Sequence, residues 1–156
     1  MNVRVVAGDL LDQDVEVLVN AWNRNLFPWW LLVPQGVSRA IRRRAGTQPF
    51  RELARLPLIP LGGAVLTSAG RLPHRALIHV AAINLLWRAS EGSIRGSVRS
   101  AIALAGQQGF RSLAFPVLGS GSGGFERQRA LEAMRTEFAQ LESDLECRVV
   151  VFEPSL

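Results

Sequence analysis

Short apolar runs alternate along the chain with longer stretches in which apolar residues recur at helical spacing. The apolar runs predict six β-strands, at residues 3–7, 15–19, 64–68, 76–83, 112–117 and 148–152. The helical spacing predicts four helices, at residues 37–45, 50–56, 90–108 and 126–141. We expect Ser90 to cap the third helix, and Gly46 and Gly109 to end the first and the third.

The order of these elements, β-β-α-α-β-β-α-β-α-β, indicates the fold class. Because the strands are nearly continuous apolar runs, helices must cover both faces of the sheet. We therefore predict an α/β fold with helices on both sides of a mixed, mostly parallel sheet. A length of 156 residues is that of one domain, so residues 1–156 are predicted to form a single domain. Ligands of such sheets bind beyond the carboxyl ends of the strands.

The composition is that of a globular protein, with 48% hydrophobic and 20% charged residues. The single cysteine, Cys147, excludes an intramolecular disulfide and favours a reducing, cytoplasmic setting. We expect Cys147 to be a small core residue rather than a nucleophile. The longest apolar stretch, Ala76–Trp87, is interrupted by His79 and Asn84 and is too short for a membrane helix.

All 18 basic residues are arginines, and the chain has neither lysine nor tyrosine. This excludes a Schiff base, a lysine nucleophile, a tyrosine general acid and a lysine-bearing phosphate loop. The net charge of +5 favours anionic partners, such as nucleotides, nucleic acid or phosphate esters. The cluster Arg39, Arg42, Arg43 and Arg44 is interpreted either as a solvated helix face or as a rim that attracts anions.

Two polar loops follow predicted strands. In the first, Gly8–Leu11, the Asp9 carboxylate could accept a hydrogen bond from the exocyclic amine of a base, or simply form a turn. In the second, Asn20 and Asn23 offer amide groups that suit ribose hydroxyls or the orientation of a water molecule. Asparagines at strand ends are also common turn formers, so both interpretations remain open.

The strongest local signal is the glycine-rich segment Pro116–Phe125, between a predicted strand and a predicted helix. Glycines allow backbone N–H groups to approach an anion, and the helix N-terminus adds a positive dipole. The alternative is a flexible surface loop. The segment also matches G-x-G-x-x-G, but too little chain follows for a second nucleotide-binding half.

The other chemistry-bearing residues indicate no metal and no cofactor. His74 and His79 lack a further histidine or cysteine with which to form a zinc site. His79 lies in an apolar strand, where a hydrogen-bonded core histidine is the expected role. No G-x-S-x-G motif is present, which argues against an α/β-hydrolase triad.

Together these loops resemble the macrodomain family, the ADP-ribose-binding α/β/α module, from Gly8 to about Met134. Residues 8–11 resemble the family's Gly-Asp-Ile-Thr, and residues 19–23 resemble its Val-Asn-Ala-Ala-Asn. Residues 36–46 resemble the helix Gly-Val-Asp-Gly-Ala-Ile…Ala-Ala-Gly. Residues 115–125 resemble the diphosphate loop Pro-Ala-Ile-Ser-Thr-Gly-x-x-Gly. The resemblance implies a three-layer α/β/α fold around a mixed, mostly parallel sheet.

It also implies a set of ligand contacts. Asp9 would hold the adenine, Asn23 would face the distal ribose, and the glycine-rich loop would hold the diphosphate. The residues expected to contact the ligand are Gly8, Asp9, Leu10, Asn20, Asn23, Gly36, Val37, Ser38, Pro116, Gly119, Ser120, Gly121, Ser122, Gly123, Gly124 and Phe125.

The departures from the family bear on catalysis. Ser38 stands where the commonest catalytic branch has the aspartate that assists hydrolysis, and Gly123 stands where an aromatic often stacks on the distal ribose. If the chain hydrolyses its ligand, Asn23 would orient the ribose or a water, and Glu126 or the substrate's own phosphate would replace the aspartate.

The apolar segment Leu26–Pro34 replaces the family's glycine run. Trp29 and Trp30 within it are candidates for a lid over the distal ribose. A patch buried against a second subunit is the alternative.

Three functions are therefore weighed. The first is a macrodomain that binds ADP-ribose or ADP-ribosyl groups and hydrolyses ADP-ribosyl or O-acetyl-ADP-ribose linkages. The second is a non-catalytic reader of ADP-ribose, and the third is a basic RNA- or DNA-binding domain. The expected partner is ADP-ribose or an ADP-ribosylated macromolecule, with no membrane. Nucleic acid is expected only as an ADP-ribosylated target or as a secondary contact of the basic surface.

Overall fold

The computed structural model describes residues 1–25, 36–84, 88–120 and 124–153. Six strands and four helices lie within these residues, and a 3₁₀ turn at Leu10–Asp12 follows the first strand. The strands are β1 (Asn2–Gly8), β2 (Val17–Trp22), β3 (Ala64–Thr67), β4 (Ala76–Ala81), β5 (Ser112–Pro116) and β6 (Glu146–Phe152). The helices are α1 (Gly36–Ala45), α2 (Gln48–Ala54), α3 (Glu91–Gln107) and α4 (Arg127–Gln140).

The strands form one sheet in the order β1-β6-β5-β2-β4-β3. Each neighbouring pair is parallel except β3 and β4, which are antiparallel. The predicted mixed, mostly parallel sheet is therefore confirmed. Strands β1, β6, β5, β2 and β4 consequently end at the same edge of the sheet, which we name the carboxyl edge.

A separate apolar core lies on each face of the sheet. On one face α3 and α4 bury the predicted stripes, Ile94, Val98, Ile102 and Ala105 from α3 and Ala130, Met134 and Phe138 from α4. On the other face α1 and α2 bury Ile41, Ala45, Phe50 and Leu53 against alternate side chains of β2 and β4. The three-layer α/β/α arrangement follows from these two cores.

The predicted cap of α3 and the predicted glycine ends of α1 and α3 are confirmed, whereas α2 lies at Gln48–Ala54 instead of the predicted 50–56, because a proline is accepted in the first turn of a helix. The Ser90 hydroxyl accepts from the Ser93 N–H at 3.0 Å, and the Ser93 hydroxyl accepts from the Ser90 N–H at 2.9 Å. This reciprocal capping box satisfies two backbone donors at the start of α3. Gly46 and Gly109 follow α1 and α3 with φ of +83° and +77°, the left-handed conformation that ends helices.

The boundaries of β2 differ from the prediction. The strand begins at Val17 and continues to Trp22, whereas the apolar run predicted 15–19. Asn20 reads as a turn former in the sequence, yet it lies within the strand, opposite His79 of β4. A polar residue continues a buried strand when the neighbouring strand offers it a partner, and a single strand's pattern does not reveal that.

Cys147 is fully buried on β6, and burial raises the pKa of its thiol to about 12. The predicted core role is therefore confirmed, because the thiolate that a nucleophile needs is suppressed. No helix among the described residues is long and apolar enough to span a membrane.

Glu137 of α4 joins the two helices on its face of the sheet. Its buried carboxylate accepts from Arg95 Nε at 2.9 Å and from Arg99 Nε at 2.8 Å, both on α3. Burial alone would raise the pKa of Glu137, but the hydrogen bonds and charges of the two arginines outweigh it and lower the pKa. The ion pairs therefore stabilise the fold at neutral pH and are lost as the pH falls below the usual carboxyl range.

Replacing this carboxylate should weaken the packing of α3 on α4. We expect Glu137→Gln to lower the free energy of unfolding by about 1–3 kcal/mol, because one charged acceptor of two arginines is lost from a buried site. Urea unfolding at neutral pH measures the change. The control Glu132→Gln, at an exposed position of the same helix, should shift it by less than about 0.5 kcal/mol. Equal effects of the two variants would contradict the role of Glu137.

Candidate functional site

The carboxyl edge brings together the polar loops of the sequence. Gly8 ends β1, Asn20–Trp22 form the last part of β2, and Pro116 ends β5. The β2–β5 ladder pairs only Val17–Leu18 with Leu113–Ala114, so the carboxyl halves of these central strands are not bridged to each other. An open crevice between strand ends is where parallel sheets bind ligands.

Asp9 forms the turn that the sequence allowed. Its carboxylate Oδ1 accepts from the Leu11 N–H at 2.9 Å and caps the 3₁₀ turn. Its backbone carbonyl accepts from Gln13 Nε2 at 3.0 Å, which holds the loop from the other side. Among the described residues, Oδ2 makes no hydrogen bond. The side chain is half-buried, so this oxygen remains available to a ligand donor.

Asn20 and Ser38 are joined by a direct hydrogen bond. The Ser38 hydroxyl lies 2.9 Å from Asn20 Oδ1 and 3.2 Å from the Ala21 carbonyl. Ser38 lies in the first turn of α1, and Asn20 and Ala21 lie near the end of β2. This contact therefore holds the first turn of the helix against the end of the strand. Asn20 has no exposed surface and supports Ser38 from within the sheet, and its predicted contact with a ligand stays a prediction.

The contact continues across the sheet as a buried polar network. Asn20 Nδ2 lies 3.0 Å from His79 Nδ1, and His79 Nε2 lies 2.7 Å from Thr67 Oγ1 on β3. The Thr67 hydroxyl also lies 3.0 Å from the Ser68 carbonyl, to which it can donate. The network therefore joins β3, β4 and β2 to the start of α1.

One set of hydrogen-bond directions satisfies this network with the Asn20 amide oriented as it is here. In that set the Thr67 hydroxyl donates to the Ser68 carbonyl and accepts from His79, which places the imidazole proton on Nε2. His79 Nδ1 is then the acceptor of the Asn20 amide N–H, and Asn20 Oδ1 is left to accept from Ser38. The Ser38 hydroxyl is accordingly a hydrogen-bond donor in this structure.

His79 is held neutral within the network. Burial lowers its pKa to about 3, and the attraction of Glu52 on α2 offsets only part of that effect. The carboxylate of Glu52 itself accepts from the backbone N–H of Ser68 at 2.9 Å and from the Ser68 hydroxyl. The predicted role of His79 as a hydrogen-bonded core histidine is confirmed.

Asn23 and Asn25 form a second turn beyond β2. Asn23 Oδ1 accepts from the Asn25 N–H at 2.6 Å, and Asn23 is 6% exposed. Asn25 has φ of +62° and donates from Nδ2 to the carbonyls of Leu53 and Leu56, each at 2.9 Å. Its amide thus ties the end of α2 to the carboxyl edge.

The glycine-rich loop begins at a position that only glycine fits. Gly119 has φ of +78°, and a Cβ there would lie 2.6 Å from Ala89 Cβ. The loop closes where the Phe125 N–H donates to the Gly119 carbonyl at 3.0 Å, and Ser120 Oγ donates to the Val117 carbonyl at 3.0 Å. The guanidinium of Arg129 lies over the Phe125 ring, 5.0 Å from its centroid.

Glu126 caps the helix that follows this loop. Its carboxylate accepts from the backbone N–H groups of Gln128 at 2.9 Å and of Arg129 at 3.1 Å. The first turn of α4 therefore already holds an anion, and a bound phosphate would depend on the loop's own N–H groups. The catalytic role of Glu126 stays a prediction.

Several predicted site residues lie outside the described residues. They are the glycine-loop positions Gly121, Ser122 and Gly123, the lid candidates Trp29 and Trp30, and the surrounding Leu26–Pro34.

Sequence reasoning missed two contributors to the site, Thr67 and Asn25. Thr67 could have been found only from strand pairing, since its partner His79 belongs to another strand. For Asn25 there was a signal, because asparagine is the residue other than glycine that most readily adopts positive φ.

Among the described residues no group of three His, Cys, Asp or Glu side chains could hold a metal ion.

A groove between β1 and α4 contains none of the predicted site residues. It is lined by Met1, Val3, Val5, Arg135, Phe138 and Ala139.

The Macro domain family model matches residues 19–134. An O-acetyl-ADP-ribose deacetylase of Escherichia fergusonii is 33% identical over 138 residues, which cover 83% of this chain and 74% of that protein. The chain belongs to the macrodomain family. The matched region includes Asn23, Ser38 and the glycine-rich loop, whereas Asp9 precedes it.

Solved structures of macrodomains share the fold. An Oceanobacillus iheyensis macrodomain with ADP has a TM-score of 0.81 and 25% identity, over 95% of this chain and 81% of that one. A Trypanosoma brucei macrodomain in complex with ADP-ribose has a TM-score of 0.77 and 26% identity, over 97% of this chain and 63% of that one.

The neutral His79 should make the stability of this macrodomain depend on pH. In the unfolded chain a histidine has its ordinary pKa near 6.5 and takes up a proton that folded His79, with its pKa of about 3, does not. The contribution of neutral His79 to the free energy of unfolding is therefore fully present above about pH 6.5. The free energy of unfolding decreases as the pH falls towards 3, with a slope of up to about 1.4 kcal/mol per pH unit.

Urea unfolding between pH 6.5 and 5, above the usual carboxyl range, measures this slope. We expect His79→Gln to flatten it relative to the wild type. The control His74→Gln leaves His79 in place and should keep a slope steeper than that of His79→Gln. Identical slopes in the wild type and His79→Gln would show that His79 is not held neutral.

Proposed function

We propose that this macrodomain binds ADP-ribose, free or as an ADP-ribosyl group on a macromolecule, in the crevice of the carboxyl edge. The observation that carries the proposal is that Asp9, Asn23, Ser38 and the loop from Gly119 all lie at the carboxyl edge, where the ends of β2 and β5 are not bridged to each other. The fold in which they converge is that of macrodomains solved with ADP and with ADP-ribose.

Asp9 would recognise the adenine. Its Oδ1 is occupied by the turn, so Oδ2 would accept from the exocyclic amine of the base. A charge-assisted hydrogen bond of this kind contributes roughly 1.5–3 kcal/mol. Leu10 and Gly8 flank this carboxylate, and the turn holds it at the edge before any ligand arrives.

Removing the charge of Asp9 while keeping its turn should therefore weaken ADP-ribose binding. We expect Asp9→Asn to raise the Kd at least tenfold in calorimetry, because asparagine still accepts from Leu11 but presents an amide donor to the adenine amine. The control is Asp12→Asn in the same turn. Asp12 is exposed, and its ion pair among the described residues is with Arg44, so the Kd of this variant should match the wild type. A folded Asp9→Asn protein with wild-type affinity would limit Asp9 to its role in the turn.

The diphosphate and the distal ribose would lie further along the crevice. The backbone N–H groups of residues 119–124 would hold the phosphates, since Glu126 already occupies the first turn of α4. Asn23 would face the distal ribose, with its Oδ1 committed to the turn and its Nδ2 left for the ligand. In this proposal Trp29 and Trp30 would form a lid over that ribose.

The hydrogen bonding of Ser38 favours a reader of ADP-ribose over a fast hydrolase. At the position where the family's catalytic branch has an aspartate, this chain has a hydroxyl that donates a hydrogen bond to Asn20 Oδ1 or to the Ala21 carbonyl. A neutral hydroxyl is far less basic than a carboxylate, so Ser38 supplies no general base. Loss of general-base help slows a reaction by about 10²–10⁴-fold.

Turnover of O-acetyl-ADP-ribose tests this assignment. We expect Ser38→Asp to raise kcat by about 10²–10⁴-fold over the wild type, because it supplies a carboxylate at the start of α1. The buried network can accept this change if the Asn20 amide turns over, the His79 proton moves to Nδ1 and the Thr67 hydroxyl turns to donate to His79 Nε2. The control Ser38→Asn matches the size of aspartate without its charge and should show no gain.

Wild-type turnover that already equals that of Ser38→Asp would show that other groups perform the hydrolysis. In that case a loss of activity in Asn23→Ala or Glu126→Gln would identify which of the two takes part.

A further inference from the structure

The net charge of the protein is concentrated in one segment. Residues 36–55, which contain α1 and α2, carry six of the 18 arginines but only one of the 13 acidic residues, Glu52. The rest of the sequence therefore contains twelve arginines and twelve acidic residues. The whole excess of +5 thus belongs to two adjacent helices on one face of the sheet.

Arginines elsewhere in the structure are often paired with acids. Arg95 and Arg99 bind Glu137, and Arg4 and Arg148 lie within 4 Å of Glu146. On α1 and α2 the pattern differs. Arg44 pairs with Asp12, but among the described residues four exposed arginines form no ion pair, and we name them the arginine face: Arg39, Arg43, Arg51 and Arg55.

Helical geometry places each pair of arginines on the exposed side of its helix, and the two helices cover the same face of the sheet. On α1, Ser38, Ile41 and Ala45 are buried, so Arg39 and Arg43, four residues apart, lie on the opposite side. On α2, Pro49, Phe50 and Leu53 are buried, and Arg51 and the C-capping Arg55 repeat the same spacing on the exposed side.

Both helices begin or end at the carboxyl edge. Ser38, next to Arg39, is hydrogen-bonded to the end of β2, and Asn25 binds the last carbonyls of α2, next to Arg55. The arginine face therefore extends outwards from the rim of the proposed ligand crevice.

The chemistry of the arginine face indicates which class of partner it would bind. Guanidinium groups bind phosphates through paired N–H donors. The other exposed positions of these helices include Gln48 and Ala54 but no aromatic residue, so nothing on α1 or α2 would stack on bases. An acidic protein would need apolar contacts between the charges, and these helices expose none of any size.

We propose that the arginine face binds the phosphate backbone of a nucleic acid strand, without reading its sequence. This function goes beyond the binding of ADP-ribose and does not require it. With ADP-ribose bound in the crevice, a nucleic acid strand on the arginine face would lie beside that ligand. A macromolecule that carries an ADP-ribosyl group would lie in the same place.

Fluorescence anisotropy with a labelled single-stranded RNA of mixed sequence and about 20 nucleotides tests the proposal. Four phosphate contacts predict that the logarithm of the affinity falls with the logarithm of salt with a slope near −3. The double variant Arg43→Gln/Arg51→Gln should weaken binding at least tenfold at low salt and make the slope shallower by about 1.4. A DNA strand of the same sequence should bind within a few fold, since only phosphates are contacted.

The matched control is Arg111→Gln/Arg135→Gln, which removes two exposed charges outside the arginine face. It should retain RNA affinity within about twofold if local contacts, rather than the net charge, hold the strand. Equal losses in the two double variants, or competition by polyglutamate as effective as that by RNA, would overturn the proposal.

Calorimetry with free ADP-ribose on the same proteins separates this proposal from the proposed function. We expect both double variants to bind ADP-ribose as the wild type does. Failure of all proteins to bind ADP-ribose, with the RNA results as expected, would refute the proposed function alone.

Discussion

A fully buried carboxamide in a central strand constrains the whole site. Asn20 lies on the central strand β2, where no water can satisfy its amide, and an unmade hydrogen bond there would cost about 1–3 kcal/mol. Its partners must therefore come from neighbouring elements, and they are His79 of β4 and Ser38 of α1. Satisfying one side chain thus fixes where the first helix begins relative to the strand ends, and with it the wall of the crevice.

The same network determines what the site can do chemically. When Thr67 donates to the Ser68 carbonyl at one end, every hydrogen bond from there to Ser38 takes one direction. A serine suits the donor end of this chain, whereas an aspartate would require the Asn20 amide, the His79 proton and the Thr67 hydroxyl to reverse together. The substitution at position 38 is therefore a change in the polarity of a buried network as well as the loss of a carboxylate. This is the physical reason why family membership alone does not carry catalysis over to this chain.

The secondary structure could be predicted because apolar periodicity is a local property. The stripe of α3 from Ile94 to Ala105, the cap at Ser90 and the stops at Gly46 and Gly109 each depend on neighbours in sequence. The burial of Asn20 could not be predicted, because it depends on the register that places His79 beside it. The capping role of Glu126 and the tie that Asn25 makes to α2 likewise depend on contacts that only the folded chain forms. The sequence predicts which loops form the candidate site, but it does not predict the hydrogen bonds that individual polar atoms in them make.

The central claim is that ADP-ribose occupies the crevice at the carboxyl edge. Titration of isotopically labelled protein with ADP-ribose, followed through the backbone amide NMR signals, tests it most directly. The account predicts that the largest shifts occur at residues 9–11, 20–25, 37–38 and 117–120. Signals of the groove between β1 and α4, such as those of Val3 and Phe138, should change little. Shifts confined to that groove or to the arginine face would contradict the account.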